Sequence, residues 1–261
     1  MTLLRHELRQ GRISLCIWTA IIASMTALCI LIYPEIGSQM SAVSGMFSDM
    51  GVFSAAFGMD KLNFGEFLGF FGVECGNILG LGGAFFAALL GIQALAKEEK
   101  DGTAEFLLTH PVSRSGILLQ KLSALFIQIV ILNLAVIAVT LLSVTAIGEQ
   151  PDPGTLSLLF LAYFLLQLET AAVCFGISAF IRNGGTSIGL GMAALFYFVN
   201  IIANLTQKAK FLKYVTPFGY AESADIITGK TINGPYLAVG MAFALLGTAA
   251  AFFWYRRKDI R

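Results

Sequence analysis

The sequence predicts an all-α integral membrane protein, on three observations. Apolar residues make up 57% of the 261 residues and charged residues only 13%, against roughly 25% charged in ordinary soluble domains. Mean hydropathy is +0.78. Six stretches are apolar for long enough to cross about 30 Å of hydrocarbon as helices: approximately 13–33, 67–96, 117–147, 156–181, 186–205 and 236–255. No segment of domain size is left between them, so residues 1–261 read as a single transmembrane domain.

Residues 1–12 set Leu3, Leu4 and Leu8 against Arg5, Arg9 and Arg12. That pattern predicts an interfacial amphipathic elbow helix, or else a basic flank that only sets orientation. The first span is longer than the core of a signal peptide and lacks a small-residue cleavage pattern, so it is expected to be retained. Residues 34–66 carry four methionines and little charge, and form an ordered external cap or an irregular loop packed on the bundle. The second span bears small residues at helical spacing, among them Gly72, Gly76, Gly80, Ala84 and Ala88. Such a stripe suits close helix packing, within the bundle or as a sliding contact between two copies. The second and third spans exceed the length that a crossing needs, which implies tilt or projection beyond the membrane. Residues 206–235 are too long for a simple connection and contain Pro217, Gly219 and Pro235.

Basic residues set the orientation. With both termini in the cytoplasm, twelve lysines and arginines fall on the inner side, and Lys61, Lys208, Lys210, Lys213 and Lys230 fall outside. The lysine cluster at 208–213 is the weak point, and a re-entrant segment would explain it. A net charge of +1 gives no sign of nucleic-acid binding.

Several chemistries find no support. Cys16, Cys29, Cys75 and Cys174 all fall inside expected spans and suit buried small residues better than a disulfide frame or metal site. His6 and His110 form no metal-binding motif. Gly185-Thr-Ser-Ile-Gly189 matches the G-x-S-x-G pattern of hydrolases, but it opens a span instead of joining a strand to a helix. The only Gly-Lys pair, Gly229-Lys230, has Ala224 where a phosphate-binding loop needs its first glycine. ATP, if used, must be bound by another polypeptide.

The stretch from Lys97 to Lys121 is the most informative. Its charges cannot sit in hydrocarbon, yet Phe106, Leu107 and Leu108 are too apolar for a solvated loop. Asp101-Gly102 ends the preceding helix. Thr103 to Thr109 can form a short helix with Glu105 near its positive end, and Pro111 stops it. Ser113 is placed to cap the next helix.

These residues resemble the first cytoplasmic loop of type-2 permeases, the membrane subunits of ATP-binding-cassette (ABC) transporters. That loop reads approximately E-x-x-x-G-T-x-E-x-L-L-x-x-P-V-x-R-x-x-I-x-x-x-K. Glu98, Gly102, Thr103, Glu105, Leu107, Leu108, Pro111, Val112, Arg114, Ile117 and Lys121 fall in register with it. The resemblance implies that residues 103–109 are a coupling helix that docks on a separate ATPase subunit, which holds the ATP and Mg. Glu98, Glu99, Glu105 and Arg114 would set its register there, and Phe106, Leu107 and Leu108 would supply buried area. It further implies an exporter in the cell membrane, working as two permease copies or beside a related permease. The elbow and a re-entrant external hairpin at 206–235 also belong to that pattern. Cargo is not legible.

Glu74, Asn77 and Glu169 are the candidates for lining a translocation path, because a carboxylate within a span must face a cavity, a polar partner or a subunit interface. Equally, Glu74 could lie at the outer interface and Glu169 could bond a neighbouring helix. The same two carboxylates would serve the alternative reading, a secondary transporter, although no internal repeat accompanies them.

Overall fold

The computed structural model describes residues 2–49, 51, 54, 56, 58–100, 113–181 and 185–257, which are helical throughout with no strand among them. Six helices are long and apolar enough to cross a membrane. Span 1 is Leu3–Gly37, span 2 Phe67–Lys97, span 3 Arg114–Ile147, span 4 Pro153–Ser178, span 5 Thr186–Leu205 and span 6 Gly234–Arg257. Each overlies the stretch that hydropathy selects. The protein is a multi-pass membrane protein.

Span 1 departs most from expectation. It belongs to one continuous helix, Thr2–Asp49, so no break separates an amphipathic elbow from the first crossing. Two residues that could interrupt the helix do not. Gly11 does not end the helix, because its missing side chain makes room for the Gln128 side chain of span 3. Leu4 N donates to Gln120 Oε1 at 3.3 Å, which holds the first turn against the bundle. Pro34 lies inside the helix. It removes one backbone bond, and beside it Tyr33 donates its hydroxyl to Gly65 O at 2.9 Å, which ties this part of the helix to the segment before span 2.

Span 2 is irregular where its glycines cluster. Phe71–Cys75 and Ile78–Gly82 are π-helical turns before regular helix resumes over Gly83–Lys100. Such turns widen the helix locally and occur often at functional sites. The small-residue stripe is covered within this chain. Gly72 faces Ile227 and Ser223, Gly76 faces Tyr163, Gly80 faces Phe218, and Gly91 abuts the backbone of Ala171 in span 4. A second close crossing places Gly176 of span 4 on Gly247 of span 6, backbone to backbone. The stripe therefore serves packing inside the bundle, and a sliding surface between two copies is not its use.

Span 4 is central, with Leu159, Ala162, Leu166, Cys174 and Phe175 fully buried. All four cysteines are free thiols. Ser187 is exposed within the regular helix of span 5, which removes the strand-to-helix turn that a nucleophile elbow requires.

The bundle has two distinct ends. At one lie Glu7 paired with Lys121 at 2.7 Å, Gln93 bonded to Thr186, and Arg114 against the last turn of span 6. Arg5, Arg9, Arg12, Lys97, Arg256 and Arg257 belong to the same end. At the other, Lys61 meets Asp225 at 2.9 Å and Lys230 meets Asp152 at 3.9 Å. The uneven basic charge read from the sequence thus corresponds to a real partition of the molecule.

Candidate functional site

The loop singled out by the sequence leaves and re-enters the bundle at the basic end. Regular helix continues through Glu98 and Glu99 to Lys100. Gly102, Thr103, Glu105, Phe106, Leu107, Leu108 and Pro111 lie outside the described residues. Beyond them Ser113 caps span 3 as expected, its Oγ accepting from Gly116 N at 3.1 Å.

The flanking cations are committed to the bundle. Arg114 Nη1 donates to the carbonyls of Tyr255 and Arg256, each at 3.2 Å, so the start of span 3 is clasped to the end of span 6. Lys121, in register with the loop signature, is nearly buried and donates to Glu7 at 2.7 Å. Together these contacts tie helices 1, 3 and 6 to the base of the loop. A crevice of about 170 Å³ opens beside them, lined by Glu7, Gln10, Gln93, Lys97, Lys121 and Gln128.

The three intramembrane candidates separate into different settings. Glu74 is exposed on the outer part of span 2. Asn77, between the two π-helical turns, donates to Val73 O at 2.8 Å and accepts from the Tyr197 hydroxyl at 3.1 Å. Glu169 is buried near the middle of span 4, and its Oε2 accepts from the Tyr220 hydroxyl at 2.9 Å. Gly240 of span 6 has no side chain, and Glu169 Oε2 occupies the place where one would stand. Glu169 therefore bonds a neighbouring segment, and no described contact joins it to Glu74.

That neighbouring segment is the long connection between spans 5 and 6. It folds as a 3-10 helix Gln207–Tyr214, a 3-10 turn Pro217–Gly219 and a short helix Ser223–Gly229. Its tip enters the bundle. Thr216 Oγ1 donates to Phe196 O at 2.8 Å, Phe218 stands against Gly80 and Tyr197, and Tyr220 reaches Glu169. Phe196, Gly80 and Glu169 all lie in the middle thirds of their spans. The connection therefore folds back among the spans, as the expected hairpin requires.

Its charges explain the lysine cluster. Lys213 is buried and bonds Asp225 at 3.1 Å, while Lys61 bonds the other Asp225 oxygen at 2.9 Å. Burial alone would raise the Asp225 carboxyl, but the two ammonium groups outweigh it and hold it below the usual carboxylate range.

Sequence reasoning missed Glu222. Its Oε2 accepts from the amides of Asn200 and Asn204, both at 2.9 Å, which fastens the hairpin to span 5. It also missed the buried pair Asn133 and Gln167, bonded at 2.7 Å between spans 3 and 4. The signal was a polar residue inside an apolar run, present at Asn133, Gln167 and Asn200 alike.

Comparison with known proteins identifies the family of the chain. A family model described as ABC-2 family transporter protein matches residues 1–260. The chain is also similar to a Bacillus subtilis (strain 168) protein named "Uncharacterized protein YhcI", with 23% identity over 200 residues, 67% of this chain. The chain covers 64% of the length of that relative.

Proposed function

Because the chain belongs to the ABC-2 family of transporter proteins, we propose that it is the permease subunit of an ATP-driven exporter, coupled to a separate ATPase through residues 103–109. The observation that carries this reading is the loop between spans 2 and 3. It joins an apolar triplet to a charged frame, and it leaves the bundle at the end richest in basic residues. That end faces the cytoplasm by the positive-inside rule, so both termini and the loop are cytoplasmic.

The flanks of the loop support a mechanical role. A docked helix can act on the spans only if its attachment points are stiff. Ser113 caps span 3, Arg114 grips the end of span 6, and Lys121 grips helix 1. Movement of the loop would be shared by spans 1, 3 and 6 together. Phe106, Leu107 and Leu108 supply the buried contact with the ATPase, and Glu98, Glu99 and Glu105 set its register. Arg114 acts from within the permease, as a positioning residue for the loop. ATP and Mg belong to the partner.

The exposed apolar faces of spans 1, 5 and 6 carry Ile17, Met25, Leu195, Phe198, Leu245 and Leu246. Such faces suit contact with lipid, whereas the exposed carboxylate of Glu74 is costly there and supports a second permease copy beside this one. The secondary-transporter alternative loses its main support, since Glu169 is closed under Tyr220 and makes no described contact with Glu74.

The test is to co-express the chain with a candidate ATPase and measure ATP-dependent export in membrane vesicles. Leu107→Asp or Leu108→Asp should leave the protein in the membrane and abolish transport. Wild-type transport by both variants would contradict the docking role.

A further inference from the structure

A small polar cavity of about 40 Å³ lies where the re-entrant hairpin meets spans 2, 4 and 5. It exists because Gly72, Gly76 and Gly80 present no side chains along the π-helical part of span 2. At roughly 10–15 Å³ for each water-sized occupant, it holds about three. Its walls include Asn77, Tyr197, Asn200, Glu222 and Ser223.

The hydrogen bonds around it leave buried polar atoms without partners. A carboxylate can only accept, so Asn200 must turn its amide nitrogen to Glu222, at 2.9 Å. Its Oδ1 then faces away, and this buried oxygen has no hydrogen-bond partner. The Tyr197 hydroxyl gives its one proton to Asn77 Oδ1. Ser223 Oγ gives its proton to Gly72 O at 2.6 Å. Asn77 gives one of its two amide hydrogens to Val73 O. Oxygens on four side chains thus retain lone pairs beside a carboxylate, and the Tyr163 hydroxyl in the same wall is buried with no described partner.

We infer that this cavity is a binding site for a monovalent cation, an alkali ion or ammonium, held by Glu222 together with the neutral oxygens of Asn200, Asn77, Tyr197 and Ser223. One formal negative charge among neutral oxygens matches a single positive charge. A divalent ion is usually held with more acidic ligands, and the described residues contain no cluster of three His, Cys, Asp or Glu. Access runs through Glu222 itself, which also lines an outer cavity of about 240 Å³ with Asp60, Lys61, Asn204 and Thr206. A bound ion pins the hairpin to spans 2 and 5. The site is independent of coupling to an ATPase, so the isolated chain suffices to test it.

The experiment is thermal unfolding of the purified chain in detergent with sodium, potassium, ammonium or choline chloride at equal ionic strength. At least one small cation should raise Tm above its value in choline, by a few degrees for each tenfold excess over its Kd. The salt that does so identifies the ion. Glu222→Gln should abolish the dependence, and Ser223→Ala should weaken the apparent affinity about tenfold. Calorimetric titration of the wild-type chain, which needs no variant, should show saturable binding of one ion. Equal Tm in all four salts, no saturable heat, or unchanged cation dependence in Glu222→Gln would each overturn the assignment and leave a water-filled cavity.

Discussion

Lys121 Nζ donates to Glu7 Oε1 at 2.7 Å, joining span 3 to the first turns of helix 1 at the base of the loop between spans 2 and 3. The lysine side chain is 3% exposed and the glutamate 19%. Replacing one member of such a pair costs more than replacing both, because a buried charge then loses its counter-charge. Glu7→Gln should lower stability by about 3 kcal/mol, and Glu7→Gln with Lys121→Met should recover a good part of it. Thermal unfolding of the two variants in one detergent checks this, and equal losses would refute it.

The bond from Tyr220 to Glu169 holds the hairpin tip inside the bundle. Tyr220→Phe keeps the ring and removes the donor from a buried carboxyl, which should cost about 1–3 kcal/mol. Gly240→Val should cost more, since its side chain would meet Glu169 and the Tyr220 ring. If Tyr220→Phe unfolds at the wild-type temperature, the hairpin is not held at this point.

Two glycines give a matched contrast. A methyl group on Gly91 would collide with the backbone of span 4 at Ala171 and Phe175, whereas Gly191 has open space around it. Gly91→Ala should destabilise by roughly 1–3 kcal/mol through overpacking, and Gly191→Ala should be neutral or slightly stabilising. Similar losses at both positions would contradict the close crossing of spans 2 and 4.

Acid should loosen the hairpin. The Asp225 carboxyl is held below its unfolded value by Lys213 and Lys61. Its stabilising contribution is therefore complete above the unfolded value, near pH 4, and is lost as pH falls through the lower folded value. Proteolysis of residues 206–233 from the outer side should rise steeply below about pH 4. The rise should be absent in Asp225→Asn, which would be susceptible at all pH values. A flat profile in the wild-type chain would show that the two lysines do not hold the hairpin.

The crossings were legible because hydrocarbon thickness sets their length, and spans 2 to 6 lie close to the stretches that hydropathy selects. Ser113 was legible as a cap because its role is local. The bounds of helix 1 were misread at residues 12 and 34, since the packing of Gly11 against Gln128 and Tyr33's bond to Gly65 hold the helix through both points and neither is local. Glu222 was hidden for the same reason. Its partners Asn200 and Asn204 meet it only after the hairpin folds back. Hydropathy averages such single polar residues away, whereas the cost of burying each one makes them informative once the fold is known.

The central claim is that residues 103–109 touch an ATPase on the cytoplasmic side. The most direct measurement places a photo-crosslinking residue at Leu108 in membranes that also contain the partner. The account predicts an adduct with a subunit that carries a phosphate-binding loop, and its loss when Leu107 is changed to Asp. An adduct-free ATPase from every position between 103 and 109, or labelling of Leu108 only from outside the cell, would contradict it.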